Sequence, residues 1–150
     1  MFEKKPKVKE IKLSREYDFS YENFVLATQH EVYLLIEKSE DDIYGIKFKS
    51  RVVKYGSPND EARGGHSLAK HGLGLYGFFE VENSPWIKEQ AELNKVHPRH
   101  SDMLFSGLSH YVACFQDVMI EITSGSYEEF KMSQQELNAV LQEQVSNLEA

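Results

Sequence analysis

A chain of 150 residues, 41% hydrophobic and 27% charged, has the length of one domain and can bury a core without covalent staples. Its formal net charge of −7 repels nucleic-acid phosphates at long range, so no nucleic-acid partner is expected. The lone cysteine, Cys114, excludes an intramolecular disulfide and a zinc site built from cysteines.

No apolar run reaches the roughly 20 residues that a membrane-spanning helix needs. The opening Met1-Phe2-Glu3-Lys4-Lys5-Pro6 lacks the apolar stretch of a signal peptide. The expectation is a cytoplasmic protein with no membrane partner. Residues 1–150 are read as one α+β domain. Its frame is a single antiparallel sheet of about five to seven strands, with one mid-chain helix and one C-terminal helix over 133–148.

A basic arm over 1–7 opens the chain. The alternation from Lys7 to Leu13 then predicts a half-exposed edge strand guarded by lysines. Tyr17 to Phe24 reads as a turn leading into a short strand. Val32 to Ile36 is a continuous apolar run, Ser39-Glu40-Asp41-Asp42 a turn, and Ile43 to Val53 the return strand. This register sets Glu37 opposite Tyr44, Leu35 opposite Ile46 and Tyr33 opposite Phe48. The first strand of the pair, apolar on both faces, is expected nearer the middle of the sheet.

Leu75 to Val81 predicts another strand. In Asn83-Ser84-Pro85-Trp86, Ser84 is placed to cap a helix and Pro85 sits where its missing N–H costs nothing. Trp86, Ile87, Ala91 and Leu93 form its inner stripe, and His97-Pro98 stops it. A hairpin joins His110–Phe115 to Val118–Thr123, with Phe115 facing Val118, Ala113 facing Ile120 and Tyr111 facing Ile122. Ser133 and Glu136 form a capping box for the last helix. Its stripe, Leu137, Val140, Leu141, Val145 and Leu148, either packs on the sheet or makes a homodimer seam.

Chemistry concentrates in two places. The segment 56–74 carries no hydrophobic run, and so long an irregular stretch usually has a binding or catalytic use. Gly64, Gly65, Gly72 and Gly74 permit tight backbone turns, while Arg63 and Lys70 offer cations for an anion cradled by glycine N–H groups. Neither a P-loop nor a dinucleotide fingerprint is present. Arg63, Gly64, Gly65, His66, Lys70, His71 and Arg99 are the expected ligand-binding residues.

Histidines supply the second signal. His66, His71, His97, His100 and His110 cluster in one part of the sequence. Imidazole is the commonest metal-ligating side chain, so His66, His71, His97 and His100 are the candidate ligands for zinc or another divalent metal. The leading reading has these rings bonded to carbonyls and carboxylates with no cofactor, and metal binding is the alternative. His110 and Glu121 fall on the non-apolar face of the second hairpin at diagonal positions. They are read as an ion pair, or as an imidazole oriented for base or ligand work. Cys114 reads as a buried structural thiol, and Trp86 as a core anchor. The segment 56–74 and the corner 97–100 are expected to meet in one polar hollow over the sheet.

The run from Gly64 through Gly-His-Ser-Leu-Ala-Lys-His-Gly-Leu-Gly-Leu-Tyr-Gly-Phe-Phe-Glu-Val-Glu-Asn-Ser-Pro-Trp to Ile87 resembles a bacterial family of uncharacterised proteins. Val96 to Ser101 and the strand around His110–Phe115 are similar to it as well. The resemblance implies kinship and brings no activity. The expected function is therefore a non-catalytic domain binding a small ligand or protein partner through the Gly/His-rich loop. The alternative is a metal-dependent, hydrolase-like enzyme using the four histidines.

Overall fold

The computed structural model describes residues 4–149, apart from the side chains of residues 50 and 51. The expected basic arm lies partly outside the described residues, and Lys7 already belongs to the first strand.

Among the described residues seven strands are formed: β1 Lys7–Glu10, β2 Phe24–Ala27, β3 Val32–Ser39, β4 Asp42–Gly56, β5 Gly77–Glu82, β6 Ser109–Phe115 and β7 Val118–Ser133. They pair antiparallel in one sheet with the order β1-β5-β6-β7-β4-β3-β2. Strands β4 and β7 form the spine. Their ladder is interrupted between Phe48 and Val52, and with the segments on either side counted separately the sheet holds more strands than expected. Three α-helices are formed among the described residues: α1 Pro85–Asn94, α2 Met103–Ser106 and α3 Gln134–Ser146. The short α2 was not expected, and α3 is shorter than the 133–148 span because Ser133 is its N-cap and Asn147 its C-cap.

The two edge strands are consecutive in sequence, which dictates the first layer. Residues 11–23 must cross the whole sheet to link β1 to β2. That crossing lays Ile11, Leu13, Tyr17 and Phe19 against the largest buried cluster, including Leu34, Ile46, Phe48, Phe78, Tyr111, Phe115, Ile120 and Ile122. Backbone bonds pin its ends: Ile11 N–H to Phe78 O at 2.8 Å and Gln116 N–H to Phe19 O at 3.2 Å. Midway, the Glu129 carboxylate accepts from Ser14 N–H at 3.0 Å, and Arg15 pairs with Glu37 at 3.1 Å.

The opposite face carries two smaller clusters. In one, Val8, Phe79, Val81, Val112, Cys114 and Met119 lie under Leu68 and Leu73 of the long loop. In the other, Tyr33, Leu35, Ile43 and Met132 lie under Leu137 and Val140 of α3. The capping box forms, with Glu136 N–H donating to Ser133 Oγ at 3.0 Å. Only the first turns of α3 reach the sheet; Leu141, Val145 and Leu148 are exposed.

The β6–β7 hairpin has the expected register throughout. The β3–β4 register matches the expectation only near the turn, where Glu37 faces Tyr44. Beyond a bulge between Leu35 and Glu37 it slips by one, so that Leu35 faces Gly45, Leu34 faces Ile46 and Val32 faces Phe48. The extra residue moves every later side chain relative to its partner. The close approach needs Gly45, where a Cβ would sit 2.0 Å from Leu34 O. Strand β3 is also not central: β4 lies inside it, and β3 is apolar on both faces because α3 covers its second face. The stripe of α1 is revised too, since Gln90 is buried while Leu93 is exposed.

No helix among the described residues is long and apolar enough to cross a membrane.

Candidate functional site

The site is built where the loop and α1 close over the outer face of β6 and β7. His110 and Thr123 are Cα partners, which puts Glu121 one step diagonally from His110 on the same face. His110 Nε2 lies 2.9 Å from Glu121 Oε1. This is no surface pair: the side chains are only 2% and 13% exposed. Above them, the chain leaves β5 through Asn83 and enters α1 at Ser84, whose hydroxyl accepts from Ile87 N–H at 3.2 Å. The same oxygen lies 2.7 Å from His110 Nδ1. The Glu121 carboxylate can only accept, so His110 Nε2 carries a proton and donates to it. Backbone N–H, hydroxyl, imidazole and carboxylate thus form one polarised chain.

Trp86 stands edge-on to the His110 ring with centroids 5.0 Å apart. The Lys54 ammonium rests 4.3 Å from the indole centroid, a cation–π contact. Lys54 arrives there because β4 pairs with β7, which makes Lys54 and Glu121 Cα partners. From the loop, His66 Nδ1 accepts Leu68 N–H at 3.0 Å. Its ring proton is therefore on Nε2, which points at Glu121 Oε2 from 3.6 Å, beyond hydrogen-bond length. Burial alone would raise the Glu121 pKa. The His110 hydrogen bond and charge, with His66 and Lys54 behind them, outweigh it and hold Glu121 below the ordinary carboxylate value.

Together, Lys54, His66, Ser67, Leu68, Pro85, Trp86, Glu89, His110 and Glu121 line a recess of about 180 Å³. Larger hollows lie elsewhere. One of about 480 Å³ lies between β2, β3 and the start of α3, and one of about 920 Å³ lies along the 11–19 crossing. Neither holds a buried carboxylate flanked by imidazoles.

The other expected site residues are dispersed. Arg63 is 4% exposed, with its guanidinium turned inward. Its guanidinium donates to the carbonyls of Leu75, Phe115 and Val118 and pairs with Asp60 at 3.1 Å, clamping the loop to the β6–β7 turn. The loop is not structureless either: 3-10 turns form at Ala62–Gly65 and Ala69–His71. Neither Gly64 nor Gly65 has positive φ, and a Cβ on either would meet nothing within 4 Å. Gly72 does need its freedom, at φ 110°. Lys70 and His71 line a separate recess with Lys5 and Pro6.

The corner 97–100 closes on itself. His97 Nδ1 accepts Arg99 N–H at 3.0 Å, His100 Nδ1 accepts from Asn94 at 2.9 Å, and His100 Nε2 meets Asp102 at 2.9 Å. The Arg99 side chain is exposed. None of these residues lines the recess that His66 enters, so the expected single hollow is corrected: the loop meets His110, Glu121 and α1 instead. Among the described residues, no group of three or more His, Cys, Asp or Glu side chains is arranged to hold a metal ion.

Sequence reasoning missed Lys54 altogether, and treated Ser84 only as a cap and Trp86 only as an anchor. Their shared signal was local for Ser84 and Trp86, two residues apart beside a strand end. Lys54 carried none, since its place depends on the β4–β7 pairing.

Fold and site together define an antiparallel α+β domain with a buried Ser-His-Glu chain beside a small polar recess. Comparison with protein-family models, curated proteins and solved structures gives no match. That is consistent with kinship to an uncharacterised family and brings no activity with it.

Proposed function

We propose that this protein is a non-catalytic binding domain that takes a small ligand between the Gly/His-rich loop and the start of α1. The observation that carries the reading is Glu121. Its carboxylate is fixed from behind by His110, while the recess gives access to it from in front. A buried charge held in place this way is pre-organised for recognition, because little ordering remains to be done on binding.

The nucleophiles support binding over covalent chemistry. Ser84 is 6% exposed and its oxygen is engaged by Ile87 and His110. Burial pushes the Cys114 thiol up to about 12, far from the thiolate that attack requires.

Trp86 is the single tryptophan, so intrinsic fluorescence reports on this recess directly. A thermal-shift screen of small amines, carboxylates, sugars and phosphates, read in parallel by Trp86 fluorescence, is expected to yield solutes that raise Tm and change the emission saturably. Silence in both readouts across all four classes would refute the proposal.

A further inference from the structure

We infer that the ligand is a small organic cation, an ammonium or guanidinium group on a short apolar stem. This rests on the recess being a binding site, and deepens that reading. Three observations converge on a cation.

Charge comes first. The recess is lined by two carboxylates, Glu89 and Glu121, against one ammonium, Lys54. His66 Nδ1 accepts Leu68 N–H, and both rings turn Nε2 toward Glu121, His110 from 2.9 Å and His66 from 3.6 Å. His110 braces the carboxylate as a hydrogen-bond donor.

The aromatic wall is second. The negative face of an indole attracts cations, and here it already holds one, since Lys54 Nζ lies 4.3 Å from the Trp86 centroid. Lys54 is a resident stand-in: a tethered ammonium shows that the ring face accepts this chemistry. A ligand cation would displace it toward solvent and pair with Glu121 Oε2. That oxygen has no partner closer than His66 Nε2 at 3.6 Å among the ion pairs of the described residues.

Size is third. At about 180 Å³ the space is below the roughly 300–1,000 Å³ of sites for drug-sized ligands. Leu68 and Pro85 supply apolar wall for a stem of a few carbons. Nucleotides and oligosaccharides are too large.

The test titrates the intact protein with n-butylammonium and methylguanidinium, reading Trp86 emission, with n-butanol and butyrate as neutral and anionic controls. Saturable binding of the two cations alone is expected. Removing the resident competitor with Lys54→Met should tighten n-butylammonium binding by about fivefold, whereas a merely structural Lys54 would leave it unchanged or weaker. Glu121→Gln should weaken it by about tenfold, with far-UV circular dichroism confirming the fold. Should Gln at 121 fail to fold, the Lys54→Met arm decides alone. Binding of butyrate or butanol in preference to the cations, or no tightening in Lys54→Met, overturns the cation class while leaving a functioning pocket. No response to any solute overturns the pocket itself.

Discussion

Asp60 and Asp117 hold each other reciprocally, each carboxylate accepting the other's backbone N–H at 2.9 Å. This handshake joins the long loop to the β6–β7 turn. Arg63 reinforces it through three carbonyls, and Tyr76 O–H donates to Asp60 at 2.6 Å. The anchoring fixes where the loop delivers His66. Arg63→Ala strips a buried cation from these acceptors, and should cost about 3 kcal/mol in urea-unfolding stability. A loss within about 0.5 kcal/mol, the range of a surface change, would show that the clamp is not structural.

Glu121 sets a pH dependence. Its folded pKa is depressed, so its contribution is complete above the unfolded value of about 4.3. The contribution is lost as pH falls through the lower folded value. Other carboxylates with depressed values, such as Glu31 and Glu129, add to the acid loss. The difference between wild type and Glu121→Gln isolates this one. That stability gap should shrink as pH is lowered from about 5 to about 3; a gap that widens on acidification would contradict the assignment.

Cys114 is fully buried and its thiol is pushed up to about 12 by burial. Ellman's reagent should leave it untouched in the native protein and label it once the chain is unfolded in urea. Rapid native labelling would place the thiol at an accessible surface instead.

The β3–β4 bulge predicts an intolerant glycine. A methyl at position 45 would lie 2.0 Å from Leu34 O and 2.9 Å from the Phe130 ring. Gly45→Ala should therefore destabilise by about 3 kcal/mol, seen as a lowered urea midpoint. An unchanged midpoint would mean the strands can part there freely.

Helix α3 should divide into two halves by energetics. Leu137, 5% exposed, packs on Tyr33, Leu35 and Ile43, and Leu137→Ala should cost about 3 kcal/mol. Val145 is 63% exposed, and Val145→Ala should stay within about 0.5 kcal/mol. Equal losses at both positions would point to a covered second half.

Local chemistry was readable from the residues alone. The β6–β7 register followed from the alternation on both strands once the turn was located, because side-chain period two allows no other in-phase pairing across so short a loop. The start of α1 was equally legible, since Ser84 and Pro85 act on their own turn. The β3–β4 register was legible only up to the bulge. Nothing in the run Val32–Ile36 marks where an extra residue is inserted, and the space for it comes from Gly45 on the other strand. The histidines were visible as a group, but their sequence proximity misled: His97 and His100 bond within their own corner, while His66 reaches a carboxylate on β7.

The amino-acid order by itself thus determined an antiparallel α+β frame, its capped helices, and a glycine- and histidine-rich loop in need of a role. Only the tertiary structure decided that Lys54, Trp86, His110 and Glu121 share one recess. Caps and tight turns are settled by neighbours a few residues apart, whereas that grouping requires β4 to pair with β7 along its length and the loop to be clamped by Arg63. Those contacts form between distant parts of the chain, where they are selected by burial of the whole sheet.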